Sequence, residues 1–457
     1  MIIFTKDIAE ALTAYLASKN YDKTYLVTDT NTRQHCLPLL EGTPALRDAG
    51  QITIEAGDVH KDIAQVAQIW QHLSDGGASR HSLLINLGGG MVTDLGGFAG
   101  ATFKRGLHVL NIPTTLMASV DAAVGGKTGI NFNGLKNEIG SFHQPDCVMI
   151  DCTFLRTLDR DNLLSGLAEM IKHGLIADSD HLRALLTIDI SARHFTIDPA
   201  EVERSVAVKA RIVKEDPTER GIRKALNFGH TVGHAFESLS FARSRPILHG
   251  HAVAAGIVCE LYLSHKHCGL STDDLRRVTH FIRSGYPPFS FSCRDYDTIY
   301  ERMTHDKKNA GGRIRFALLR GIGDVVIDQE VPRELVIESF DFYRENMGQE
   351  EIVRTGFWLV DYLSTFAAHS RKRCNAGCSS ARLEYSSGGR VVAGSNPVTP
   401  TNWKASQSQH SSCFEGLFYG HERGAAAPLR RAVFGYYGDI GECRNRVFID
   451  QRKTDNY

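Results

Sequence analysis

The chain has 457 residues, 42% hydrophobic and 23% charged, a globular balance long enough for two or three domains. Its 52 basic and 52 acidic residues leave a formal net charge of zero, which excludes a general binder of nucleic acid or anionic membrane but not a local basic pocket. No run of about 18 or more apolar residues is present to span a bilayer, the start Met1-Ile2-Ile3-Phe4-Thr5-Lys6-Asp7 is not a secretory signal, and the ten cysteines are scattered without metal spacing, as expected of reduced thiols in a cytoplasmic protein.

Tyr25-Leu26-Val27-Thr28 reads as a short strand ending at Asp29. Ile63, Val66, Ala67, Trp70 and Leu73 recur at helical spacing. Ser82-Leu83-Leu84-Ile85-Asn86-Leu87 predicts a buried strand that runs into Gly88-Gly89-Gly90, and Val109-Leu110-Asn111-Ile112 another, stopped by Pro113. Strand, helix, strand, glycine turn and helix predict an α/β domain with an open parallel sheet over residues 1–150. Helical periodicity over residues 163–176, 202–214, 228–238 and 252–264 predicts a mainly helical domain over residues 151–347. Residues 370–457 are rich in Ser, Gly, Arg and Asn, so the segment 348–457 is expected to be a disordered or non-native tail. Within it, Gly394-Ser395-Asn396-Pro397 back-translates to a string like the T-arm of a transfer-RNA gene, which suggests a reading frame run past its stop.

Three features carry chemistry. Gly88-Gly89-Gly90-Met91-Val92-Thr93-Asp94 follows a strand, where glycines allow close approach of a pyrophosphate to a helix N-terminus. The spacing is not G-x-G-x-x-G, and a plain tight turn explains it equally well. Asp29 suits a ribose hydroxyl, although a turn or cap is the commoner role of a lone Asp there. In Asn227-Phe228-Gly229-His230-Thr231-Val232-Gly233-His234 the two histidines are four apart and share a helical face, with Asn227 one turn before. Such a pair is a common metal arrangement and also occurs by chance; His249-Gly250-His251 follows. Glu169 and Lys172 share a helical face in a mostly apolar segment, which disfavours a solvated surface pair. Arg105, Lys127, Lys136 beside Asn137, Lys172, Lys209, Arg223 and Lys307-Lys308 lie outside charge runs. Singly each reads as a surface solubiliser; placed around one pocket they would suit a doubly anionic substrate.

In order and spacing these segments resemble 3-dehydroquinate synthase, over about residues 20 to 345. The resemblance rests on Gly88-Gly89-Gly90 through Asp94, Lys104-Arg105-Gly106, Pro113-Thr114-Thr115, Val120-Asp121 before Gly125-Gly126-Lys127, and Lys136-Asn137. It continues through Phe154-Leu155-Arg156-Thr157, Gly166-Leu167-Ala168-Glu169 with Lys172, Arg223 to His234, His249-Gly250 and Asp306-Lys307-Lys308-Asn309. It implies an NAD-binding α/β domain followed by a helical metal- and substrate-binding domain. The implied metal ligands are Glu169, His230 and His249, for zinc or cobalt. The implied NAD contacts are Asp29, Asn31, Asp58, Lys61, Gly89, Gly90, Asp94, Thr114, Thr115, Asp121, Lys127, Lys136, Phe154 and Thr157. The implied substrate contacts are Arg105, Lys127, Asn137, Lys172, Lys209, Arg223, Asn227, His234 and one of Lys307 and Lys308. His251 stands where many relatives carry Glu.

The implied reaction converts 3-deoxy-D-arabino-heptulosonate 7-phosphate to 3-dehydroquinate and phosphate, in the shikimate pathway. A hydride passes to NAD, phosphate is eliminated, the hydride returns, and an intramolecular aldol step closes the ring. The resemblance also implies a homodimer. Three rivals remain open: a cyclase of another sugar phosphate, a metal-dependent alcohol dehydrogenase of the same architecture, and a non-catalytic binding protein that has kept the fold. Lys209, Arg223, Asn227 and His234 favour a substrate carboxylate over the first rival.

Overall fold

A computed structural model describes residues 1–133, 135–304 and 313–347, with the backbone of seven short strands between residues 382 and 448. The expectations for Lys307 and Lys308 fall outside the described residues. The chain divides into two compact units, Met1–Glu345 and Asn346–Tyr457.

The first unit begins with β1 (Ile2–Thr5), α1 (Ile8–Ala17), β2 (Thr24–Asp29), α2 (Thr30–His35), β3 (Gly50–Ile54), α3 (Ile63–Asp75), β4 (Leu83–Gly88), α4 (Gly90–Thr102) and β5 (His108–Pro113). A hairpin of β6 (Lys127–Phe132) and β7 (Leu135–Phe142) follows, then β8 (Cys147–Asp151). Six strands make one sheet in the order β1-β8-β5-β4-β2-β3, and every neighbouring pair is parallel. β4 is buried along its whole length, as its continuous apolar run predicts for a strand covered on both faces. Its side chains alternate between two cores. Leu84 packs with Val27, Ile52 and the α3 and α4 residues Val66 and Leu95; Leu83, Ile85 and Leu87 pack with Leu12 and Leu26 on the other face. β3 lies outside β2, and the chain returns to the other side of β2 for β4. Strand order therefore reverses between β2 and β4, and their carboxyl ends flank the crevice where such sheets take ligands.

Gly125-Gly126 leads into the β6–β7 hairpin, whose first strand starts at Lys127. Gly125 (φ +117°) and Gly126 (φ +66°) supply the left-handed backbone of its entry. β7 has no fully buried position, so it shows none of the alternation that reveals a strand.

The helical part runs through α5 (Arg160–Ala177), α6 (Ser179–Leu185), α7 (Pro199–Glu215), α8 (His230–Ala242), α9 (His249–Leu263), α10 (Thr272–Gly285) and α11 (Tyr296–Thr304). A second hairpin, β9 (Phe316–Gly321) and β10 (Asp324–Gln329), precedes α12 (Arg333–Met347). This hairpin is an addition to the predicted helices. α5 is buried on every face from Leu164 to Ile176, the mark of a central helix. Glycines let α5, α8 and α9 touch backbone to backbone: a Cβ on Gly256 would stand 2.0 Å from the Gly229 carbonyl oxygen, and one on Gly250 1.9 Å from that of Ser165.

In the second unit five strands pair in the order Arg382–Leu383, Glu442–Phe448, Arg430–Asp439, Ser411–Phe418, Ala405–Ser408. The six cysteines among the described residues are free thiols, and no described helix is long and apolar enough to cross a membrane.

Candidate active site

Three helices bring the metal-type side chains together. Glu169 comes from the middle of α5, His230 from the first residue of α8, and His249 from the first residue of α9. α8 can start at His230 because Gly229 takes a left-handed φ of +78° against Ile257. The buried Glu260 carboxylate accepts from the Gly229 and Val232 N–H groups at 2.7 and 3.1 Å, satisfying donors at the helix start. Glu169 is fully buried. Its Oε1 lies 3.4 Å from His230 Nε2 and 3.6 Å from His249 Nε2 and has no hydrogen-bond partner among the described residues. His230 Nδ1 donates to the Phe228 carbonyl oxygen at 3.2 Å, and His249 Nδ1 faces Glu237 Oε2 at 3.4 Å. Both rings thus have one nitrogen tied to an acceptor and turn Nε2 toward Glu169, the arrangement that orients imidazoles for a metal. His234 joins the two histidines, with its ring centroid 5.2 Å from that of His230 and 5.7 Å from that of His249.

The electrostatics agree with a cation there. Burial, followed by the Lys172 ammonium, takes His230 down to about 3, leaving a neutral ring with a lone pair. Burial also disfavours a charged His249, but Glu237 and Glu169 outweigh it and raise the group to about 10. One neutral imidazole, one imidazole that attracts positive charge and an orphaned carboxylate oxygen fit a divalent ion of the zinc type. His251 turns elsewhere: its Nε2 is 3.3 Å from the Asp161 carbonyl oxygen, and its ring lies against Tyr286.

Beside this cluster sits a buried charge relay. The Lys172 ammonium pairs tightly with Glu169 Oε2 and lies 3.7 Å from Asp121 Oδ1. Both carboxylates raise Lys172 against the opposing effect of burial. Lys209 Nζ donates to the Asp121 carbonyl oxygen at 2.5 Å and to its Oδ1 at 2.6 Å. Burial, with Lys172 nearby, lowers Lys209 nonetheless. Asp121 belongs to a single π-helical turn, Ala118–Ala122, of the kind common at functional sites. Arg223 is buried, donating to the Pro217 and Gly125 carbonyl oxygens at 2.6 and 3.0 Å. Lys127 pairs with Glu219 Oε2, and Asn227 Nδ2 donates to Glu219 Oε1 at 2.9 Å.

Of the residues implied for NAD, Asp29 ends β2, Gly89 and Gly90 follow β4, and Thr114 and Thr115 follow β5, all at the carboxyl ends of sheet strands. A glycine, Gly89, occupies the N-cap position of α4, so no side chain caps that helix. A Cβ on Gly89 would meet the Thr115 methyl at 3.0 Å, and one on Gly90 the Ala122 Cβ at 3.2 Å. This bare helix N-terminus in a glycine cradle fits a pyrophosphate. Lys61 Nζ donates to Asp94 Oδ2 at 2.6 Å and Asn137 Oδ1 at 2.5 Å, and Lys136 Nζ reaches Asp58 Oδ2 at 2.7 Å. Thr114 N–H donates to the Gly88 carbonyl oxygen at 3.0 Å, and Thr115 Oγ1 accepts from Ala118 N–H at 3.1 Å.

Other sequence-predicted residues have local roles in the structure. Asp29 Oδ1 accepts from Thr32 N–H at 2.7 Å within a capping box that starts α2, which is the cap expected of a lone Asp; Asn31 lies exposed in the same turn. Phe154 is fully buried in the core with Leu12 and Leu26, and Thr157 Oγ1 donates to its carbonyl oxygen at 2.7 Å. Arg105 is not brought to the cluster. It is exposed, at φ +69°, in the short turn that follows the C-terminal end of α4. Residues that sequence reasoning missed include Glu219, which bridges Lys127 and Asn227, and Glu237, which bridges Lys136 and His249. Glu237 lies three residues after His234 in the motif helix, a spacing that places the two on one face.

Residues 51–165 match the 3-dehydroquinate synthase N-terminal domain and residues 166–309 the C-terminal domain. The chain belongs to the 3-dehydroquinate synthase family. It is similar to a 3-dehydroquinate synthase of Parabacteroides distasonis, 61% identical over 347 residues, covering 76% of this chain and 98% of the relative. Similarity to the 3-dehydroquinate synthase of Pseudomonas savastanoi pv. phaseolicola is 38% over 339 residues, covering 72% and 89%. Among solved structures, 2-epi-5-epi-valiolone synthase from Streptomyces hygroscopicus, with NAD+ and Zn2+ bound, superposes with a TM-score of 0.68 at 26% identity, covering 76% of this chain and 96% of that one. Membership of this family agrees with the architecture of a parallel-sheet domain followed by a mainly helical one.

Proposed function

We propose that this chain converts 3-deoxy-D-arabino-heptulosonate 7-phosphate to 3-dehydroquinate and phosphate, as a carbon–oxygen lyase of the shikimate pathway working with NAD and one divalent metal. The observation that carries this reading is the orphaned Glu169 Oε1 facing two imidazole Nε2 atoms, directly beside the Lys172–Asp121–Lys209 relay. Zinc is the metal we assign, on the donor set and on the zinc bound by the valiolone synthase. When bound, NAD accepts and returns one hydride, and the metal supplies a Lewis acid for the reacting hydroxyl.

The chain's own residues bind and orient. Glu169, His230 and His249 hold the metal. Asp58, Lys61, Asp94, Lys136 and the Gly89–Gly90 cradle hold NAD in the β2–β4 crevice. Lys127, Lys209, Arg223, Asn227 and His234 take the substrate's anionic groups, fixing one rotamer for reaction. Lys172 keeps its proton at Nζ, clamped between Glu169 and Asp121, and stabilises negative charge that develops on the substrate. Arg105 lies outside this pocket, and a homodimer is the arrangement in which it could meet substrate.

The test is to mix the protein with the heptulosonate phosphate and a small amount of NAD, then follow phosphate and NADH. Phosphate release should exceed total NAD many-fold with no lasting NADH absorbance, because product and substrate have one oxidation level. Stoichiometric NADH would instead indicate the dehydrogenase reading, and phosphate release only from a different sugar phosphate the other cyclase.

The alignment with the Parabacteroides relative leaves about a quarter of this chain without a counterpart, and we propose that residues 348–457 are dispensable. A chain ending at Gly348 is expected to match the full-length protein in NAD binding, metal content and phosphate release. Loss of activity or folding in the shortened chain would show the segment to be part of the enzyme.

A further inference from the structure

Glu237 holds two groups that belong to different ligands. Its Oε2 faces Nδ1 of His249 at 3.4 Å, and its Oε1 accepts from the Lys136 ammonium at 2.8 Å. Lys136 comes from β7, lies 4.6 Å over the Phe241 ring, and reaches Asp58 on the sheet domain at 2.7 Å. The next residue, Asn137, receives the Lys61 ammonium at 2.5 Å, and Lys61 also binds Asp94 in the second turn of α4. Two sets of charge-assisted contacts, His249–Glu237–Lys136–Asp58 and Asn137–Lys61–Asp94, joined through the backbone at Lys136-Asn137, thus link the imidazole read as a metal ligand to the crevice read as the NAD site. Glu237 itself is nearly fully buried, with a side chain 5% exposed, so water offers its carboxylate little alternative to these two partners.

We propose that Glu237 is a positioning residue that couples the two sites: it orients His249 for the metal through one oxygen and fixes the β6–β7 hairpin against the NAD crevice through the other. The proposal rests on the reading of His249 as a metal ligand and of Lys136 as part of the NAD site. The physical reason for coupling is the sharing of one rigid carboxylate. A metal at His249 Nε2 fixes the ring, the ring fixes Oε2, and a carboxylate held at one oxygen presents the other in one place. Lys136 and its hairpin are then ordered before NAD arrives, and NAD meets a smaller entropic cost. By linkage the effect is reciprocal, so NAD must tighten the metal by the same factor.

The experiment measures zinc affinity by competition with a chelator, and NAD affinity by calorimetry, each with and without the other ligand. None of these readouts depends on turnover. In the unaltered protein zinc should tighten NAD by about fivefold or more, and NAD should tighten zinc equally. Glu237→Gln retains the shape of the side chain and should weaken zinc by about 10-fold to 100-fold, with the mutual effect falling toward onefold. Lys136→Met cuts the chain at its other end: NAD should bind more weakly, and the mutual effect of zinc and NAD should again be lost. A purely structural role for Glu237 would weaken both ligands yet leave their ratio intact, and that result overturns the proposal. So does a full mutual effect in Lys136→Met, or zinc and NAD binding independently in the unaltered protein. Absence of any zinc or NAD binding would instead refute the assignment of the site itself.

Discussion

Replacing Glu169 with alanine should leave the protein without stoichiometric divalent metal and lower phosphate release by about three orders of magnitude. A Lewis acid at a reacting hydroxyl is worth several kcal/mol of transition-state stabilisation, at about 1.4 kcal/mol per tenfold in rate. Glu169 Oε1 is the oxygen that faces both His230 Nε2 and His249 Nε2. His249→Ala should act in the same direction. His251→Ala should keep its metal, because that ring faces the Asp161 carbonyl and Tyr286. Stability will fall in Glu169→Ala as well, since Lys172 is 1% exposed and would lose its tight partner; breaking a buried pair typically costs about 3–5 kcal/mol. The double variant Glu169→Gln, Lys172→Met removes both charges and should recover much of that stability while remaining free of metal. Elemental analysis, thermal unfolding and phosphate release together separate ligation from folding. Metal lost from His251→Ala and retained in His249→Ala would overturn the ligand assignment.

The elements that position the site were those with strong periodic signals. β2, β4 and β5 announce themselves as apolar runs closed by Asp29, the Gly88–Gly90 turn and Pro113, and α5, α7, α8 and α9 by helical spacing, all within a few residues of their observed ends. The two hairpins were not legible. β7 is exposed or half-buried throughout, and a strand without a buried face leaves no period of two in its sequence. Histidine spacing alone likewise could not separate His230 from His234, since a helix puts both on one face. In space Glu169, 61 residues earlier in the chain, faces His230 Nε2 at 3.4 Å, a contact that histidine spacing does not reveal. Glu219 and Glu237 were missed for a related reason. A lone acidic residue in a loop or on a helix reads as a solvated charge, and only the fold shows two polar side chains converging on its carboxylate. Arg105 is a further case: the resemblance assigns it to substrate, and the structure places it exposed in the turn after α4.

Gly250→Ala should be among the most damaging single-methyl changes in the protein. The added Cβ would stand 1.9 Å from the Ser165 carbonyl oxygen and 2.5 Å from that residue's carbonyl carbon and Cα. All are backbone atoms of α5, a helix buried on every face around this point, so no side-chain rotation can relieve the clash. α9 must move off α5, and the Gly250 N–H would lose its 3.1 Å bond to Ser165 Oγ. The two residues at this contact sit beside the ligands themselves: His249 immediately precedes Gly250, and Glu169 lies one helical turn after Ser165. The same helix–helix distance that the methyl forces open therefore sets the separation between Glu169 Oε1 and His249 Nε2, now 3.6 Å. Overpacking of this kind costs about 1–3 kcal/mol, and a displacement of about 1 Å at a reacting centre costs about 100-fold in rate. We expect a lower urea midpoint, zinc affinity reduced by at least tenfold in line with losses from disturbed ligand orientation, and phosphate release down by about two orders of magnitude. Gly269→Ala is the control. Gly269 has φ +84° but nothing within 4 Å of an added Cβ, so its cost is backbone strain of about 1 kcal/mol, with zinc affinity retained. If Gly250→Ala lowered stability no more than Gly269→Ala and kept its zinc affinity, the α5–α9 contact would not be what sets the ligand geometry.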